Sequence, residues 1–395
     1  MGNIKKLYLS SIVWNLILMV AGGSILQTVL LETGLSEERT NQFFAIMQVV
    51  QVGTIILSAS YADKVKNLIK TYAHCHWLTI PLILSLILLC TFRLTIRPAV
   101  YVGLLATGIF FNIAVGLANI FSYKVPYLIM DMSQYGKVIA RSGVLIGVFC
   151  FLASTLLSSL QARFSFIPLM QVIYWISLAL LPIYIFLLHS YKENQPISSA
   201  TTAKPEKFHF LTDKTFSVLI IPNLIRGFNL GIINMAVTIG YYAGYLDSQS
   251  ASILVVISNL VVIGANAVYA WLAGKYSDKY TILISSIAVF LFMPMMFLLK
   301  TTTGYLLFYG ISFFLVTIIG NAVPVAVTRI ADFRTMGQYT AGRMVLNTLG
   351  STLAGFACIP MFRLMGVLPS IIIAAAFQLL SGLAYYFYMQ KNKIS

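Results

Sequence analysis

An arginine within an apolar stretch is the residue that offers most chemistry in this chain. Arg226 lies in the segment 218–245, which can cross a bilayer because a span needs about 20 apolar residues. On a continuous helix, Arg226 shares about a quarter of the circumference with Asn223, Asn234 and Tyr241. A charge at this depth costs about 2.5 kcal/mol on insertion scales, so such residues face a protein interior or a watery cavity. The pattern predicts a polar cavity that other helices complete.

Neutral amides on other apolar segments are candidates for the lining of this cavity. The substrate-binding residues predicted in addition to the Arg226 stripe are Asn15, Gln48, Gln51, Asn112, Asn119 and Asn321. Amides suit a hydroxyl-rich solute, and an arginine with no acidic residue at comparable depth suits an anionic group. For any single amide the alternative is a contact that only joins helices, which contributes about 0.6 kcal/mol. Taken together, these residues predict binding of a small polar or anionic solute such as a sugar acid.

The composition indicates an integral membrane protein in a lipid bilayer. Of the 395 residues, 59% are hydrophobic and 9% are charged, and the mean hydropathy is +0.88. The net charge of +15 fits Lys-rich and Arg-rich cytoplasmic loops, so we expect no nucleic-acid partner. The cysteines form no ligand spacing, so we expect no metal and no cofactor. No nucleophile, base and orienting group can be assembled within the apolar segments, so we expect no enzyme.

Apolar segments of spanning length occur in two series of six. They cover 7–31, 40–61, 72–92, 98–123, 138–160 and 166–189, and then 216–245, 250–274, 281–299, 304–328, 338–362 and 366–389. We therefore predict an all-α membrane protein with twelve transmembrane helices in two pseudo-symmetric six-helix bundles, 1–190 and 214–395, joined by a cytosolic linker over 191–213. The distribution of Lys and Arg places both termini in the cytoplasm. We expect a monomer in the cell (inner) membrane.

The two halves contain similar sequences at corresponding places. ASYADKVKNLIK after the second segment matches AGKYSDKYTILI after the eighth, so Asp63 and Asp278 each follow the cytoplasmic end of a helix. A second similarity, at offsets of 198 to 202 residues, pairs Pro126 with Pro324, Asp131 with Asp332 and Arg141 with Arg343. Repeats of this kind are typical of transporters built around a central site. Three glycine pairs, Gly143 with Gly147, Gly227 with Gly231 and Gly240 with Gly244, predict the close approach of another helix.

This organisation resembles the major facilitator superfamily, whose members have six plus six helices, a cytosolic central loop and a G-x-x-x-D-R/K loop after the second helix. Ala59 replaces the glycine of that loop here, whereas the copy at 274–279 is closer to the pattern. The resemblance implies a secondary transporter that works by alternating access. It also implies gating contacts in an outward-facing state, Asp63 with Arg343 and Asp278 with Arg141. Loops without a partner in the other bundle are the alternative.

One stretch resembles a particular branch of that superfamily. IADFRTMGQYTAGR at 330–343 is similar to the A-D-x-x-D-Y-G-E-Y-K-T-G-x-R stretch of the glycoside, pentoside and hexuronide cation symporters, and KVPY at 124–127 is similar to their fourth helix. Gln51 and Ile55 stand where that branch has the two aspartates that bind the coupling cation, which argues against cation coupling of that type. A multidrug or lipophile exporter and a non-transporting membrane sensor remain alternatives.

Overall fold

The computed structural model describes residues 2–62, 65, 67–92, 96–130, 135–193, 214–273, 275–330 and 336–392. The chain divides into two compact units. Unit 1 comprises Met1–Ser36 and Ile46–Ala203, and unit 2 comprises Glu37–Ala45 and Lys204–Ser395. Every regular element in the described residues is helical. Helices suit lipid because each satisfies its backbone hydrogen bonds internally, without water.

Unit 1 is built from the first eight α-helices and one 3-10 turn. In chain order they are α1 (Asn3–Ala21), α2 (Gly23–Glu32), α3 (Glu37–Ala62, which begins in unit 2), α4 (Leu68–Cys75), the 3-10 turn (His76–Thr79), α5 (Ile80–Thr91), α6 (Pro98–Ile129), α7 (Tyr135–Gln161) and α8 (Phe166–His189). Helix α1 packs against α7 and α8, and α5 packs against α6 and α8. The 3-10 turn lies against α6 and connects α4 to α5.

Unit 2 is built from the remaining eight helices. They are α9 (Lys214–Asn234), α10 (Ala236–Tyr242), α11 (Ser248–Ala273), α12 (Asp278–Phe292), α13 (Met295–Leu298), α14 (Thr302–Ile330), α15 (Met336–Met365) and α16 (Val367–Lys391). Helix α9 packs most extensively against α15 and also against α16, and α12 packs against α14 and α16. Large apolar side chains such as Leu364 and Ile221 remain exposed, as expected of surfaces that face lipid.

Twelve spans account for this arrangement. Among the described residues, eleven helical segments are long and apolar enough to cross a membrane, and the bent pair α9–α10 makes the twelfth. Six spans precede the polar segment 191–213 and six follow it. The predicted all-α membrane fold with twelve spans is confirmed.

Glycines allow α9 and α15 to pack with their backbones almost in contact. A Cβ atom added at Gly227 would lie 2.2 Å from the backbone oxygen of Asn347, and one added at Gly350 would lie 2.0 Å from that of Leu224. One turn further along α9, a Cβ at Gly231 would lie 2.7 Å from the Cβ of Ala354. The predicted close approach is confirmed at Gly227 and Gly231. Side chains near this seam are therefore held by a rigid interface. At Gly143 of α7 the same prediction is wrong, because an added Cβ atom would have no neighbour within 4 Å.

The prediction of one continuous helix over 216–245 is wrong at Met235. The chain bends by 61° between α9 and α10, and Met235 at the break has φ −98° and ψ 17°. The hydroxyl group of Tyr305, a fully buried residue of α14, donates to the carbonyl of Ala236 at the beginning of α10. Because the break changes the helix axis, residues on either side of it do not share one straight face.

Candidate functional site

Arg226 is buried inside unit 2. It lies twelve residues after the beginning of α9, or about 18 Å along the helix at about 1.5 Å per residue. Only 4% of its surface is exposed. When the Asn347 side-chain amide is oriented to satisfy both of its neighbours, its oxygen accepts from Nη1 of Arg226 at 3.0 Å. The amide nitrogen then donates to the backbone oxygen of Asn223 at 2.7 Å, so Asn347 links the guanidinium to the α9 backbone.

A second guanidinium contributes to the field at this position. Arg343 lies one turn before Asn347 on α15 and repels the charge of Arg226, and both arginines interact electrostatically with Tyr385. The hydroxyl of Tyr385 donates to Oδ1 of Asn223 at 2.8 Å. We call these five residues, Asn223, Arg226, Arg343, Asn347 and Tyr385, the arginine cluster. It joins α9, α15 and α16 with two positive charges.

No carboxylate in the described residues forms an ion pair with Arg226, and its buried Nε atom has no hydrogen-bond partner among them. Unit 2 does contain an ion pair at another position. Arg363 Nη1 lies 2.6 Å from Glu38 Oε2, and this arginine side chain is 59% exposed. A buried guanidinium with incomplete hydrogen bonding attracts an anion, because charge-assisted bonds to carboxylate or phosphate are among the strongest in proteins.

A glycine of α14 lies beside Arg226. A Cβ atom added at Gly320 would have Nη2 of Arg226 as its nearest neighbour, at 3.7 Å, which is an ordinary van der Waals contact. The neighbouring Asn321, half-buried, donates its amide to Oδ1 of Asn266 on α11 at 2.8 Å.

The structure separates the predicted Arg226 stripe. Asn223 is 0% exposed and belongs to the arginine cluster, where it also donates to the backbone oxygen of Leu219 at 2.7 Å. Asn234 is exposed at the end of α9, and Tyr241 is half-buried on α10 beyond the bend. The expectation that all four residues share one face is wrong for Tyr241, because the helix bends at Met235 between it and the other three.

Three residues that the sequence analysis missed hold Arg226 or its helix in place. Asn347 and Tyr385 bind within the cluster, and Asn229, fully buried one turn after Arg226, donates to the backbone oxygen of Ala374 at 3.1 Å. The spacing of Asn229 from Arg226 is helical and was a usable signal. Asn347 and Tyr385 come from distant segments, so their proximity to Arg226 depends on helix packing.

Unit 1 contains a cavity of about 380 Å³ with a mixed polar and aromatic lining. The side chains that line it are those of Leu7, Ser10, Ser11, Trp14, Asn15, Leu18, Tyr72, Ala118, Asn119, Ser122, Val125, Ile146, Tyr184 and Tyr191. We call it the unit 1 cavity. Two predicted residues, Asn15 and Asn119, line it. Gln48, Gln51 and Asn112 are half-buried in unit 1 outside this lining, and Asn112 donates to Gly108 of its own helix at 3.0 Å.

Aromatic rings form one wall of the unit 1 cavity. Trp14 stacks on Tyr184 with ring centroids 5.2 Å apart and an angle of 13° between the planes. Oγ of Ser10 lies 2.7 Å from the hydroxyl oxygen of Tyr191, and burial raises the pKa of this tyrosine, which keeps it protonated. Flat rings beside amides and hydroxyl groups suit a ring-shaped solute that carries hydroxyl groups. Trp14 precedes the predicted Asn15, but the sequence analysis did not select it.

The predicted gating residues are only partly described. Asp63 lies outside the described residues, and Arg343 belongs to the arginine cluster. Asp278 is 1% exposed at the beginning of α12, where its Oδ1 accepts from the Tyr269 hydroxyl at 3.2 Å. Arg141 is exposed on α7 of unit 1. The contacts of Asp63 with Arg343 and of Asp278 with Arg141 stay predictions.

Solved structures of transporters are similar to this chain over almost its whole length. A nucleoside transporter, NupG, is 17% identical with a TM-score of 0.70, and the match covers 100% of both chains. The xylose transporter XylE from E. coli is 15% identical with a TM-score of 0.71, covering 98% of this chain and 96% of that chain. A POT family transporter in complex with 5-aminolevulinic acid is 11% identical with a TM-score of 0.73, covering 98% of this chain and 96% of that chain.

No protein-family model matches the sequence, and no curated protein matches it. At the identities of the solved structures, the similarity shows the fold alone. The chain is therefore an integral membrane protein with the fold of major facilitator superfamily transporters.

Proposed function

We propose that this protein is a secondary transporter that carries a small anionic solute with hydroxyl groups, such as a sugar acid, by alternating access. In this proposal Arg226 binds the anionic group. The observation that carries it is the burial of Arg226 beside a second arginine, with a neutral amide as its described hydrogen-bond partner. The fold supports transport as the activity, and the cluster supports an anion as the cargo.

The free energy of the arginine cluster favours an anionic ligand. Removing a guanidinium from water costs several kcal/mol, and an amide offsets this cost less completely than a carboxylate does. The repulsion between Arg226 and Arg343 adds to the cost. A bound carboxylate would reduce both the cost of desolvation and the repulsion between the two arginines. It would also accept two parallel N–H bonds from the planar guanidinium.

The unit 1 cavity supports hydroxyl groups on the solute. Its lining offers the amides of Asn15 and Asn119 and the hydroxyl groups of Ser10, Ser11 and Tyr191. Tightly packed apolar walls would be expected of a sealed scaffold, and an acidic residue would be expected of a cation exporter. A neutral polar lining together with a buried arginine fits a carrier of an anionic sugar derivative better than it fits a sealed scaffold or a cation exporter.

Finer assignments belong to the same proposal and rest on the sequence. They are the glycoside, pentoside and hexuronide branch, the bundle boundaries 1–190 and 214–395 with a linker over 191–213, the cell (inner) membrane, cytoplasmic termini and a monomeric state. The gating contacts of Asp63 with Arg343 and of Asp278 with Arg141 are also part of it. Cysteine cross-linking of these two pairs in transporting membranes would test the gate directly.

Uptake into proteoliposomes tests the proposal with a panel of neutral sugars, their sugar acids, nucleosides and lipophilic cations. We expect saturable uptake of a sugar acid by the wild type. Arg226→Gln should weaken its binding by about 2 to 5 kcal/mol while leaving a neutral analogue nearly unchanged. Arg226→Lys should insert normally yet lose most of the affinity, because an ammonium group cannot form the two parallel bonds.

The matched control is Arg363→Gln, which removes one arginine from the same unit at an exposed position. This variant should keep the affinity of the wild type. Equal affinity for the sugar acid in wild type and Arg226→Gln, with both proteins intact in the membrane, would refute the role of Arg226. Saturable uptake of lipophilic cations alone would refute the proposed cargo.

A further inference from the structure

His76 is a buried histidine whose hydrogen-bond partners define its tautomer. It is 0% exposed in the 3-10 turn between α4 and α5. Its Nδ1 atom lies 2.7 Å from the backbone oxygen of Tyr72. A carbonyl oxygen can only accept, so Nδ1 carries a hydrogen, and in the neutral ring Nε2 is the acceptor. The Tyr184 hydroxyl, 3.1 Å from Nε2, therefore donates to it.

Tyr184 connects this histidine to the unit 1 cavity. Tyr184 and Tyr72 both line the cavity, and their hydroxyl oxygens lie 3.5 Å apart. His76 lies behind them, with its ring edge-on to the cavity-lining indole of Trp14 at a centroid distance of 4.6 Å. A proton from the cavity can thus reach Nε2 through one hydroxyl group, without crossing an apolar layer.

We propose that His76 and Tyr184 form a proton-binding site that faces the unit 1 cavity. Tyr184 passes its hydroxyl hydrogen to Nε2 as a proton and receives a proton from a hydronium ion in the cavity, which becomes water. The O–H bond of Tyr184 is thus broken and formed again, and one N–H bond forms on His76. The resulting imidazolium has two N–H donors, and Tyr184 then accepts from Nε2. Its own hydrogen turns toward Tyr72 and the cavity. Protonation therefore changes Tyr184 from an acceptor to a donor on its cavity side.

The groups around His76 supply no charge that would pair with an imidazolium. From α4 the ring is faced by Tyr72 and by Cys75, whose Sγ lies 3.6 Å from Nδ1, and from α8 by Tyr184. Trp14 faces it from α1 and does not titrate. None of the described contacts of His76 involves a charged side chain or an ionisable group of α5 or α6.

A buried imidazolium without a counter-charge is costly, and a solute hydroxyl group in the cavity that accepts from Tyr184 lowers that cost. By linkage, proton binding then favours solute binding to the same extent. This consequence rests on the proposed function, and it would make the carrier a symporter of the solute with a proton. The proton-binding site itself does not depend on transport.

Emission from Trp14 tests the proton site directly. The chain has four tryptophans, and the other three, Trp77, Trp175 and Trp271, are exposed, so replacing them with phenylalanine leaves Trp14 as the only reporter. A cationic ring in contact with an indole changes its emission through the cation–π interaction. In nanodiscs without added solute, we expect emission to titrate with a single midpoint as the pH falls.

Three further variants decide the assignment. His76→Gln should abolish the titration. Tyr184→Phe should move the midpoint to lower pH, because the imidazolium loses its hydrogen-bond acceptor. The matched control His74→Gln should change nothing, because the His74 ring contacts His189 and not Trp14. A titration that persists unchanged in His76→Gln, or no titration in the folded wild type, would overturn the site.

Transport then tests the coupling separately. With the sugar acid identified in the panel, a pH gradient should drive accumulation in the wild type. In His76→Gln the solute should only equilibrate, while Arg226→Gln should fail to bind it. Equal gradient-driven accumulation in wild type and His76→Gln would overturn coupling through His76. That result would leave the role of Arg226 intact, so the two proposals fail in distinguishable ways.

Discussion

Unit 1 surrounds a cavity with neutral aromatic and amide side chains, whereas unit 2 holds two guanidinium groups against a tightly packed helix seam. Polar groups that line the unit 1 cavity bond to neutral side chains, as Ser10 does to Tyr191 and Tyr184 does to His76. In the arginine cluster, the Nε atom of Arg226 has no partner among the described residues.

The difference reflects the free energy of each kind of group. Neutral side chains can border open space because they hydrogen-bond to one another or to water at little cost. A buried charge needs fixed dipoles nearby, and the glycines of α9 and α15 provide a rigid interface that holds Asn347 in position. The comparison implies that substitutions in unit 2 should change the affinity for charged solutes and the stability of the fold. Substitutions in unit 1 should change the affinity for ring-shaped solutes.

The largest expected effect comes from giving Arg226 a carboxylate. Asn347→Asp would place this group 3.0 Å from Nη1 of the guanidinium. The aspartate gains an ion pair with Arg226 but loses the hydrogen bond that the Asn347 amide donates to the backbone oxygen of Asn223. We expect a folded protein whose binding of the sugar acid is weaker by about 2 to 5 kcal/mol, since the positive charge is already paired. Binding measured by isothermal calorimetry checks this. The control is Asn392→Asp, which adds a carboxylate at the exposed end of α16. Unchanged affinity for the sugar acid in Asn347→Asp would contradict the proposal that unit 2 recognises the charge of the solute.

The seam that supports the arginine cluster should tolerate no added volume. In Gly350→Ala the new methyl group would lie 2.0 Å from the backbone oxygen of Leu224. We expect a loss of about 3 kcal/mol in the free energy of unfolding, or more, because two helix backbones must separate. In the control Gly264→Ala, the nearest atom lies 3.6 Å away in the Phe314 ring. Equal thermal unfolding midpoints of Gly350→Ala and Gly264→Ala in detergent would show that the seam is not rigid.

In unit 1, loss of an aromatic ring should weaken the binding of solutes regardless of their charge. Trp14→Leu removes the surface that stacks on Tyr184 at the cavity wall. We expect the affinities of a neutral sugar and of its acid to fall together by about 1 kcal/mol. Competition uptake assays measure both, and Trp175→Leu, which replaces an exposed tryptophan of α8, is the control. Selective loss of the acid alone would assign charge recognition to unit 1 and break the comparison.

The smallest expected effect is outside both regions and provides a reference. Asp247 caps α11, since its Oδ1 accepts from the backbone N–H and the hydroxyl of Ser250 at 2.8 and 2.6 Å. These bonds from Ser250 hold the pKa of Asp247 below its usual value. We expect Asp247→Asn to cost about 1 kcal/mol or less at neutral pH.

The pH dependence of this cap follows from the sign of the shift. A lowered pKa in the folded state gives stability that is present above the unfolded-state pKa and is lost as the pH falls through the folded-state value. The unfolding midpoints of wild type and Asp247→Asn should therefore converge in acid. A difference that stays constant down to acidic pH would show that the carboxylate charge does not contribute.

The amount of this protein that can be predicted from sequence differs between its fold and its candidate site. Hydrophobic length was sufficient for the spans, because a bilayer imposes the same requirement on every segment. The bend at Met235 was missed because no proline interrupts the segment there, and Tyr305, which contacts the helix after the bend, comes from α14.

Sequence alone determined that Arg226 lies in an apolar segment of spanning length, because this depends on residue type and local spacing. Glycine spacing predicted a close helix contact correctly at Gly227 and Gly231 but not at Gly143. Only the tertiary structure decided that Asn347 and Tyr385 surround this arginine, that Trp14, Tyr72 and Tyr184 line one cavity, and that His76 lies behind them. These side chains come from helices far apart in the chain. Their proximity depends on how helices rotate and cross as they pack, and local patterns along one segment do not specify that geometry.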